Sequence, residues 1–326
     1  MNSLATIIIL NYNNNQNTIN CLKSLKEQTL KNFDIILIDN GSKYRLFLEL
    51  KSKLHQFEKN LKINLIRNFS NMYFTGANNK ALKIAKGKYV CLLNNDTIVS
   101  SDFIEKMVNF LENHPDAYMI SPKIKVYREK DYIWYAGAEI DLRKLDIVKI
   151  RGLWEHDPKD QKYNEISITG YIAGTAVFLK RDILNNVGLL DEILFMYHDD
   201  PDWSLRAKKK GYNLYYVPKT IIYHDVSRTV NPRRIGFYNF FIMRNSQIIV
   251  WKHGTLKDLL IYYLKFFFIY FFDSIFLIKK KNIILILIRL NAMIRGFRIG
   301  IKRRLNRSCE KYYKKDYNYI RKIQKF

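Results

Sequence analysis

Residues Lys88 to Thr97 read KYVCLLNNDT, and the character of the stretch changes halfway along it. Tyr89, Val90, Cys91, Leu92 and Leu93 are apolar without a break; Asn94, Asn95 and Asp96 follow at once. A continuous apolar run, bounded by Gly87 and a polar cluster, is the pattern of a strand buried on both faces of a parallel sheet. Ligands in open α/β sheets gather just beyond the carboxyl ends of such strands, so Asp96 stands where a bound cation or phosphate is expected.

The same pattern recurs upstream. Leu4 to Leu10 (LATIIIL) reads as a first buried strand ending in Asn11, Tyr12 and Asn13, and Phe33 to Ile38 as a second, stopping at Asp39, Asn40, Gly41 and Ser42. Between them Asn17 and Thr18 are plausible caps for a helix through Gln28, with Ile19, Leu22 and Leu25 spaced to face the sheet. Tyr44 to Glu58 predicts a further helix and Leu61 to Ile66 a third strand; Thr75 or Gly76 then opens a helix that Gly87 closes. Strand, helix, strand, with each strand ending in polar residues, is the βαβ pattern of a parallel sheet.

Downstream, Ser101 or Asp102 caps a helix that His114 and Pro115 end, and residues 117–168 break into short β-like segments. Tyr171 to Leu179 (YIAGTAVFL) predicts another strand, in which Gly174 permits close approach of backbone or ligand. A basic chain then crowds Asp191, Glu192, Asp199, Asp200 and Asp202 into twelve residues, a concentration of carboxylates that points to use. Pro201 opens a helix at its favoured first position.

With 326 residues, 48% of them hydrophobic, the chain can bury a real core. Its three cysteines, Cys21, Cys91 and Cys309, are widely separated, which argues for a reducing compartment and against a disulfide framework or zinc site. No basic segment precedes the first apolar run, so a cytosolic location is expected. The formal charge of +25 is lopsided: from residue 231 onward 22 Lys and Arg face four acids. That tail also holds the most apolar stretch, Leu259 to Ile278, and Asn282 to Leu290 repeats the theme. Lys265 and Asp273 interrupt the first run, each at about 2.5–3.5 kcal/mol if placed at a bilayer centre. The flanking cations, Lys279 to Lys281, Arg295, Arg298 and Lys302 to Arg304, suit helices lying in an anionic interface, each contributing about 1 kcal/mol. The division expected is therefore an α/β domain over 1–250 and a basic, apolar helical region over 251–326. The second would hold the protein, as a peripheral one, at the cytoplasmic face of the cell membrane. A helix pair packed on the first domain with a solvated basic face is the other reading.

Three stretches occur in order: ATIIILNYN…DNGS, FTGANNKALKIAKGKYVCLLNNDT and VGLLDEILFMYHDDPDWSLRAKKKGY. Together they resemble the inverting, metal-dependent family 2 glycosyltransferases of the GT-A fold, in particular the rhamnosyltransferase-like branch of surface polysaccharide assembly. The resemblance implies an α/β fold with a mainly parallel nucleotide-binding sheet flanked by helices, here followed by C-terminal amphipathic helices. It also implies a nucleotide-sugar donor, a dTDP- or UDP-sugar with rhamnose among the candidates, a divalent metal (Mg2+ or Mn2+), and a glycan or lipid-linked acceptor.

The chemistry explains the residue types. The diphosphate leaving group gains charge as the glycosidic bond breaks, and a divalent cation held by one or two carboxylates offsets it. By the resemblance Asp96 is the metal-binding end of a DXD-like motif, here Asn94, Asn95 and Asp96, with Asn95 beside the donor; His224, in YHDVSRT, joins the metal or the diphosphate. Asp39 bonds the pyrimidine and Asn11, Tyr12 and Asn13 line it; Asn78 lies near the ribose or diphosphate and Arg228 contacts phosphate. Asp200, the second acid of the HDD pair, matches the base that deprotonates the acceptor hydroxyl. Each has a plainer reading: a polar strand exit for Asp96, an Asx-turn for Asp39, helix N-terminal acids for Asp199, Asp200 and Asp202, a solvated surface position for Arg228.

The chain departs from the pattern in places. Tyr73 stands where the family carries glycine, Asp199 replaces Glu, and Gln247 to Trp251 lacks the Arg of the processive Gln-x-x-Arg-Trp motif, so addition of a single sugar is expected. The thinned metal motif leaves an inactive GT-A scaffold as an alternative. The sequence pI of about 9.7 and the stretch KYYKKDYNYIRK suggest a nucleic-acid-binding protein instead. That reading accounts for neither the acidic cluster nor the order of the three motifs, and no nucleic-acid partner is predicted.

Overall fold

The computed structural model describes residues 3–226, 235–279 and 282–324. The chain forms two compact units: Met1–Glu139, Ile150–Phe195 and Asp199–Val226 make one, and Ile140–Lys149, Met196–His198 and Ser227–Phe326 the other.

In the first unit β1 (Ala5–Asn11), α1 (Asn15–Lys26), β2 (Phe33–Asp39), α2 (Tyr44–Leu54), β3 (Ile63–Arg67), α3 (Tyr73–Leu82) and β4 (Tyr89–Asn94) follow in turn. The strands pair in parallel in the order β3-β2-β1-β4. Ile7, Ile8, Ile9, Ile35, Leu37, Val90 and Cys91 are all wholly buried, which is why these runs show no alternation. Register sets Asn11 opposite Asp39, Asp39 opposite Arg67 and Leu10 opposite Asn94, so the polar ends of four strands share one edge.

The sheet then becomes mixed. β5 (Thr97–Val99) and α4 (Phe103–Asn113) lead to β6 (Ala117–Val126), with β7 (Ile133–Tyr135) antiparallel beside it; β8 (Ala138–Ile140), β9 (Val148–Ile150) and β10 (Ser167–Ile168) are short. β11 (Ala176–Lys180) lies antiparallel between β4 and β6. After α5 (Ile183–Val187) and α6 (Asp199–Lys209), β12 (Asn213–His224) runs parallel to β6 and antiparallel to β5. A shared core joins Ala77 and Ala81 of α3, Ile183 of α5, and Trp203 and Ala207 of α6 to Ile8, Ile38, Val90 and Leu92 of the sheet.

Three boundaries differ from the pattern in the sequence. α3 starts at Tyr73, ahead of Thr75, with Tyr73 at φ 55. Such a left-handed residue costs about 1–2 kcal/mol without glycine. Here Tyr73 N donates to Asn71 Oδ1 (2.7 Å), its carbonyl accepts from Asn40 Nδ2 (3.1 Å), and its ring packs edge-on against Phe195. The strand expected from Tyr171 shrinks to Ala176–Lys180, because groups of residues 171–174 are committed elsewhere: Ile172 N to Ser204 Oγ, Tyr171 Oη and Gly174 N to Asp200. α6 begins at Asp199 rather than Pro201, which still leaves the proline in the first turn, where no N–H is needed.

The second unit contributes α7 (Ile235–His253), α8 (Leu256–Lys279), α9 (Ile283–Arg304) and α10 (Glu310–Ile323). α7 and α9 lie close because Gly296 and Gly300 leave room: a Cβ at Gly296 would sit 2.6 Å from the Arg244 carbonyl oxygen, and one at Gly300 2.5 Å from Trp251 Cδ1. Arg244 and Asp316, both fully buried, form an ion pair at 2.7 Å that ties α7 to α10, and Arg295 of α9 joins the same carboxylate. Among the described residues no helix is long and apolar enough to cross a membrane.

Candidate active site

Parallel register builds the first part of the site. Asp39, fully buried at the end of β2, accepts from Asn11 Nδ2 at 3.1 Å through Oδ1 and from Ser42 N at 3.3 Å through Oδ2. Asn13, at φ 54, donates its N–H to Ser42 Oγ (2.8 Å) and accepts from Lys43 N (2.9 Å), so the loops after β1 and β2 are knitted together. Tyr12 stands exposed on that rim. Arg67, at the end of β3, brings Nε to 3.8 Å from Asp39 and lies over the rings of Tyr44 and Phe47. Its Nε is buried without a hydrogen-bond partner, a donor left over beside the buried carboxylate. Sequence reading missed Arg67, although it ends a strand beside Asp39 just as Asn11 does.

Antiparallel pairing builds the second part. Asp96 occupies the turn between β4 and β5, and pairing of Thr97 with His224 across β5 and β12 brings His224 Nε2 to 3.2 Å from Asp96 Oδ1. The contact lacks hydrogen-bond geometry: Asp96 Oδ1 and His224 Nδ1 are both buried with no hydrogen-bond partner. Trp134 packs edge-on against the imidazole at 4.9 Å. Two adjacent ligand atoms on one octahedral ion at about 2.1 Å lie about 3 Å apart, so this pair fits two positions of a divalent shell. Among the described residues no group of three or more His, Cys, Asp or Glu side chains that could hold a metal ion is found.

The third part is Asp200, half-buried in the first turn of α6. Its Oδ2 accepts from Tyr171 Oη at 2.5 Å and from Gly174 N at 2.8 Å, while Oδ1 accepts nothing from a described side chain. A Cβ at Gly174 would come to 3.0 Å from that Oδ2, so the approach depends on glycine. The next residue, Thr175, accepts from Asn94 N at 3.0 Å, which links the backbone holding Asp200 to the backbone two residues before Asp96. Burial raises the Asp200 carboxyl above its ordinary range, against the lowering effect of the Tyr171 and Gly174 hydrogen bonds. Asp199 is deeper, its Oδ2 unpartnered; burial first, and then the neighbouring Asp200, push its carboxyl well up. Asp202 is occupied otherwise, pairing with Arg206 at 2.8 Å.

Three more residues singled out in the sequence turn inward or fall elsewhere. Asn78 is buried and donates to the Phe74 carbonyl of its own helix (3.0 Å); Asn95 donates to Thr18 Oγ1 (2.9 Å) and holds the start of α1. Arg228 lies outside the described residues.

The family description "Glycosyl transferase family 2" matches residues 6–188. A dTDP-rhamnosyl transferase, RfbF of Shigella flexneri, is 26% identical over 232 residues, covering 69% of this chain and 70% of its own. The UDP-Glc:alpha-D-GlcNAc-diphosphoundecaprenol beta-1,3-glucosyltransferase WfaP of Escherichia coli is 28% identical over 202 residues, 62% of this chain and 68% of its own. Among solved structures, GalNAc-T7 with UDP, GalNAc and Mn2+ superposes with a TM-score of 0.60 at 18% identity, over 76% of this chain and 47% of that one. The fold shared at that level is the GT-A fold.

Proposed function

Since the chain belongs to glycosyl transferase family 2 and is a glycosyltransferase, we propose that it transfers a single sugar, with inversion, from a dTDP- or UDP-sugar to a lipid-linked or growing cell-surface glycan. The observation that carries this reading is Asp200: one carboxylate oxygen is fixed by Tyr171 and Gly174 and the other is left without a side-chain donor. A carboxylate so held, with its proton affinity raised by burial, is suited to accept the proton of an acceptor hydroxyl. The hydroxyl oxygen forms the new bond to the anomeric carbon while the bond to the nucleoside diphosphate breaks on the opposite face. One displacement inverts the centre, and the proton ends on Asp200.

At the donor end, Asp39 would bond the pyrimidine, with Asn11, Tyr12 and Asn13 lining it and Arg67 beside Asp39. Asp96 and His224 would hold the divalent ion, whose chemistry is to neutralise charge developing on the diphosphate. The rhamnosyl relative supports a dTDP-sugar and the glucosyl relative a UDP-sugar and a diphospholipid acceptor.

The second unit supports a place on the anionic cytoplasmic leaflet. Phe267, Phe268 and Phe272 of α8 and Ile283, Ile284 and Leu287 of α9 are exposed apolar side chains. Arg298 on α9 adds exposed positive charge. A thermal-shift panel of UDP-, dTDP- and GDP-sugars with and without Mn2+ tests the donor, followed by transfer to a diphosphoundecaprenol-linked sugar and co-sedimentation with anionic liposomes. Stabilisation by a pyrimidine nucleotide, strengthened by Mn2+, and an inverted product are expected. A chain that binds no nucleotide-sugar would overturn the reading.

A further inference from the structure

A cavity of about 740 Å³ opens at the edge of the sheet where β1 and β4 begin, and every residue lining it belongs to the first unit. That volume is in the range of small-molecule sites. Five of the lining residues are cations: Lys83 and Lys86, which follow α3, Lys88, which leads into β4, and Lys180 and Arg181 at the end of β11. Asp182 is the one acid among them, and Leu4, Leu82, Leu184 and Leu189 supply apolar wall.

The cations are held in place without being neutralised. Arg181 donates its N–H to the Lys88 carbonyl and its Nε to the Gly87 carbonyl, both at 3.0 Å, and neither Nη has a protein partner among the described residues. Lys180 donates to the carbonyls of His114 (3.1 Å) and Pro115 (3.0 Å) and lies over the Tyr118 ring. Burial lowers the pKa of Lys180, Asp182 and Asp116 oppose this, and Lys88 adds to it, which describes a cation short of counter-charge. Lys83 and Lys86 are exposed and have no carboxylate partner among the described residues. Of the five, Lys88 alone has one there, Glu112 at 3.2 Å.

Lysines scattered over a surface are solvated singly. Cations converging on a concave wall with apolar side chains behind them focus a positive potential into the space between. The cavity is also remote from the candidate active site: Asn11, Asp39 and Asp96 stand at the opposite ends of the strands, and the length of β1 puts about 20 Å between the two edges.

We propose that this cavity is a second anion site, separate from the donor site, which takes a phosphate-bearing ligand between Arg181 and the lysines. Phosphate fits better than a carboxylate because it offers more charge and more acceptor oxygens to several cations at once, and the free Nη groups of Arg181 match two of those oxygens. The phosphate comes from a free ester or anhydride or from the headgroup of an anionic lipid, and the test separates the two sources.

Inorganic pyrophosphate is titrated calorimetrically into the full chain with EDTA present, which keeps divalent-ion binding out of the reading. One-site saturation that weakens as salt is added is expected, together with slower acetylation of Lys83 and Lys86 by an N-hydroxysuccinimide ester. Lys83→Gln combined with Lys86→Gln, both at exposed positions, leaves melting temperature and transfer unchanged and raises the pyrophosphate Kd by about tenfold or more. Lys314→Gln combined with Lys315→Gln takes the same charge from exposed positions of α10 and moves Kd by no more than about twofold. Phosphatidylglycerol vesicles are the second arm. Protection of Lys83 and Lys86 by pyrophosphate assigns the site to a free ligand; protection by the vesicles alone assigns it to a lipid headgroup. The proposal is overturned if neither probe protects the two lysines, or if the α10 variant weakens pyrophosphate as much as the cavity variant does. Asp39→Asn, which weakens the nucleotide-sugar, leaves the pyrophosphate titration unchanged, so the two sites stand or fall separately.

Discussion

Tyr171 and Asp200 share a hydrogen bond of 2.5 Å, the hydroxyl donating to Oδ2, while Oδ1 of the same carboxylate accepts from no described side chain. The phenol holds the carboxylate and favours its charged form, opposing the burial that raises its proton affinity. Tyr171→Phe removes the favourable interaction and leaves the burial. The acid limb of kcat/KM therefore moves to higher pH, and activity near neutrality falls about tenfold. Asp200→Asn abolishes transfer with nucleotide binding nearly unchanged. A Phe variant whose limb stays in place would show that Tyr171 does not tune the base.

Asp96 and His224 approach at 3.2 Å with no hydrogen bond between them, and each keeps an unpartnered atom. If they share a divalent ion, Asp96→Asn and His224→Ala each abolish the extra thermal shift that Mn2+ gives to a bound nucleotide-sugar, and EDTA does the same to the unaltered protein. Transfer falls by about a hundredfold or more. Asp39→Asn, by contrast, weakens the nucleotide with and without Mn2+, since Asp39 lies with Asn11 and Ser42 at another strand end.

How much of this was legible in the sequence depends on the range of the interaction. The ends of β1, β2 and β4 are local signals: an apolar run, then a polar residue, and so Asn11, Asp39 and Asp96 could be placed on one edge in advance. Arg67 obeys the same rule at β3, yet nothing in its local sequence singles it out. The closeness of His224 to Asp96 comes from strand pairing across more than a hundred residues, and no local pattern encodes such a register. Tyr171 was read as part of a strand; its real partner lies 29 residues on. Asn78 sat correctly on a helix, yet the direction of its amide, into the Phe74 carbonyl, is a matter of rotamer and packing.

Asp199 provides a test through stability. Its carboxyl is buried with an unpartnered oxygen, and its folded-state pKa is well above the unfolded value. For an acid shifted this way the native state binds the extra proton, so stability is lost as pH rises from the unfolded pKa through the folded one. Asp199→Asn removes that loss while preserving shape. Its melting temperature should exceed that of the unaltered protein by a few degrees at neutral pH, with the difference closing toward pH 4. A difference independent of pH would mean the carboxyl does not titrate in the folded chain.

His198 works in the opposite sense. Burial lowers its pKa from 6.5 to about 4, and its Nδ1 has no hydrogen-bond partner. A buried neutral imidazole contributes its full stability above the unfolded pKa, and that contribution disappears as pH falls from 6.5 toward 4, by up to about 3 kcal/mol. His198→Asn keeps a residue that tolerates positive φ and removes the titration. In urea unfolding at pH 7.5, 6 and 5, the stability of the unaltered protein relative to this variant should decline steadily toward the acid end. Protonation of Asp199 acts against this over part of the same range, so the comparison is cleanest with Asp199→Asn present in both chains. On that background a flat difference between pH 7.5 and 5 would place the His198 ring in contact with water.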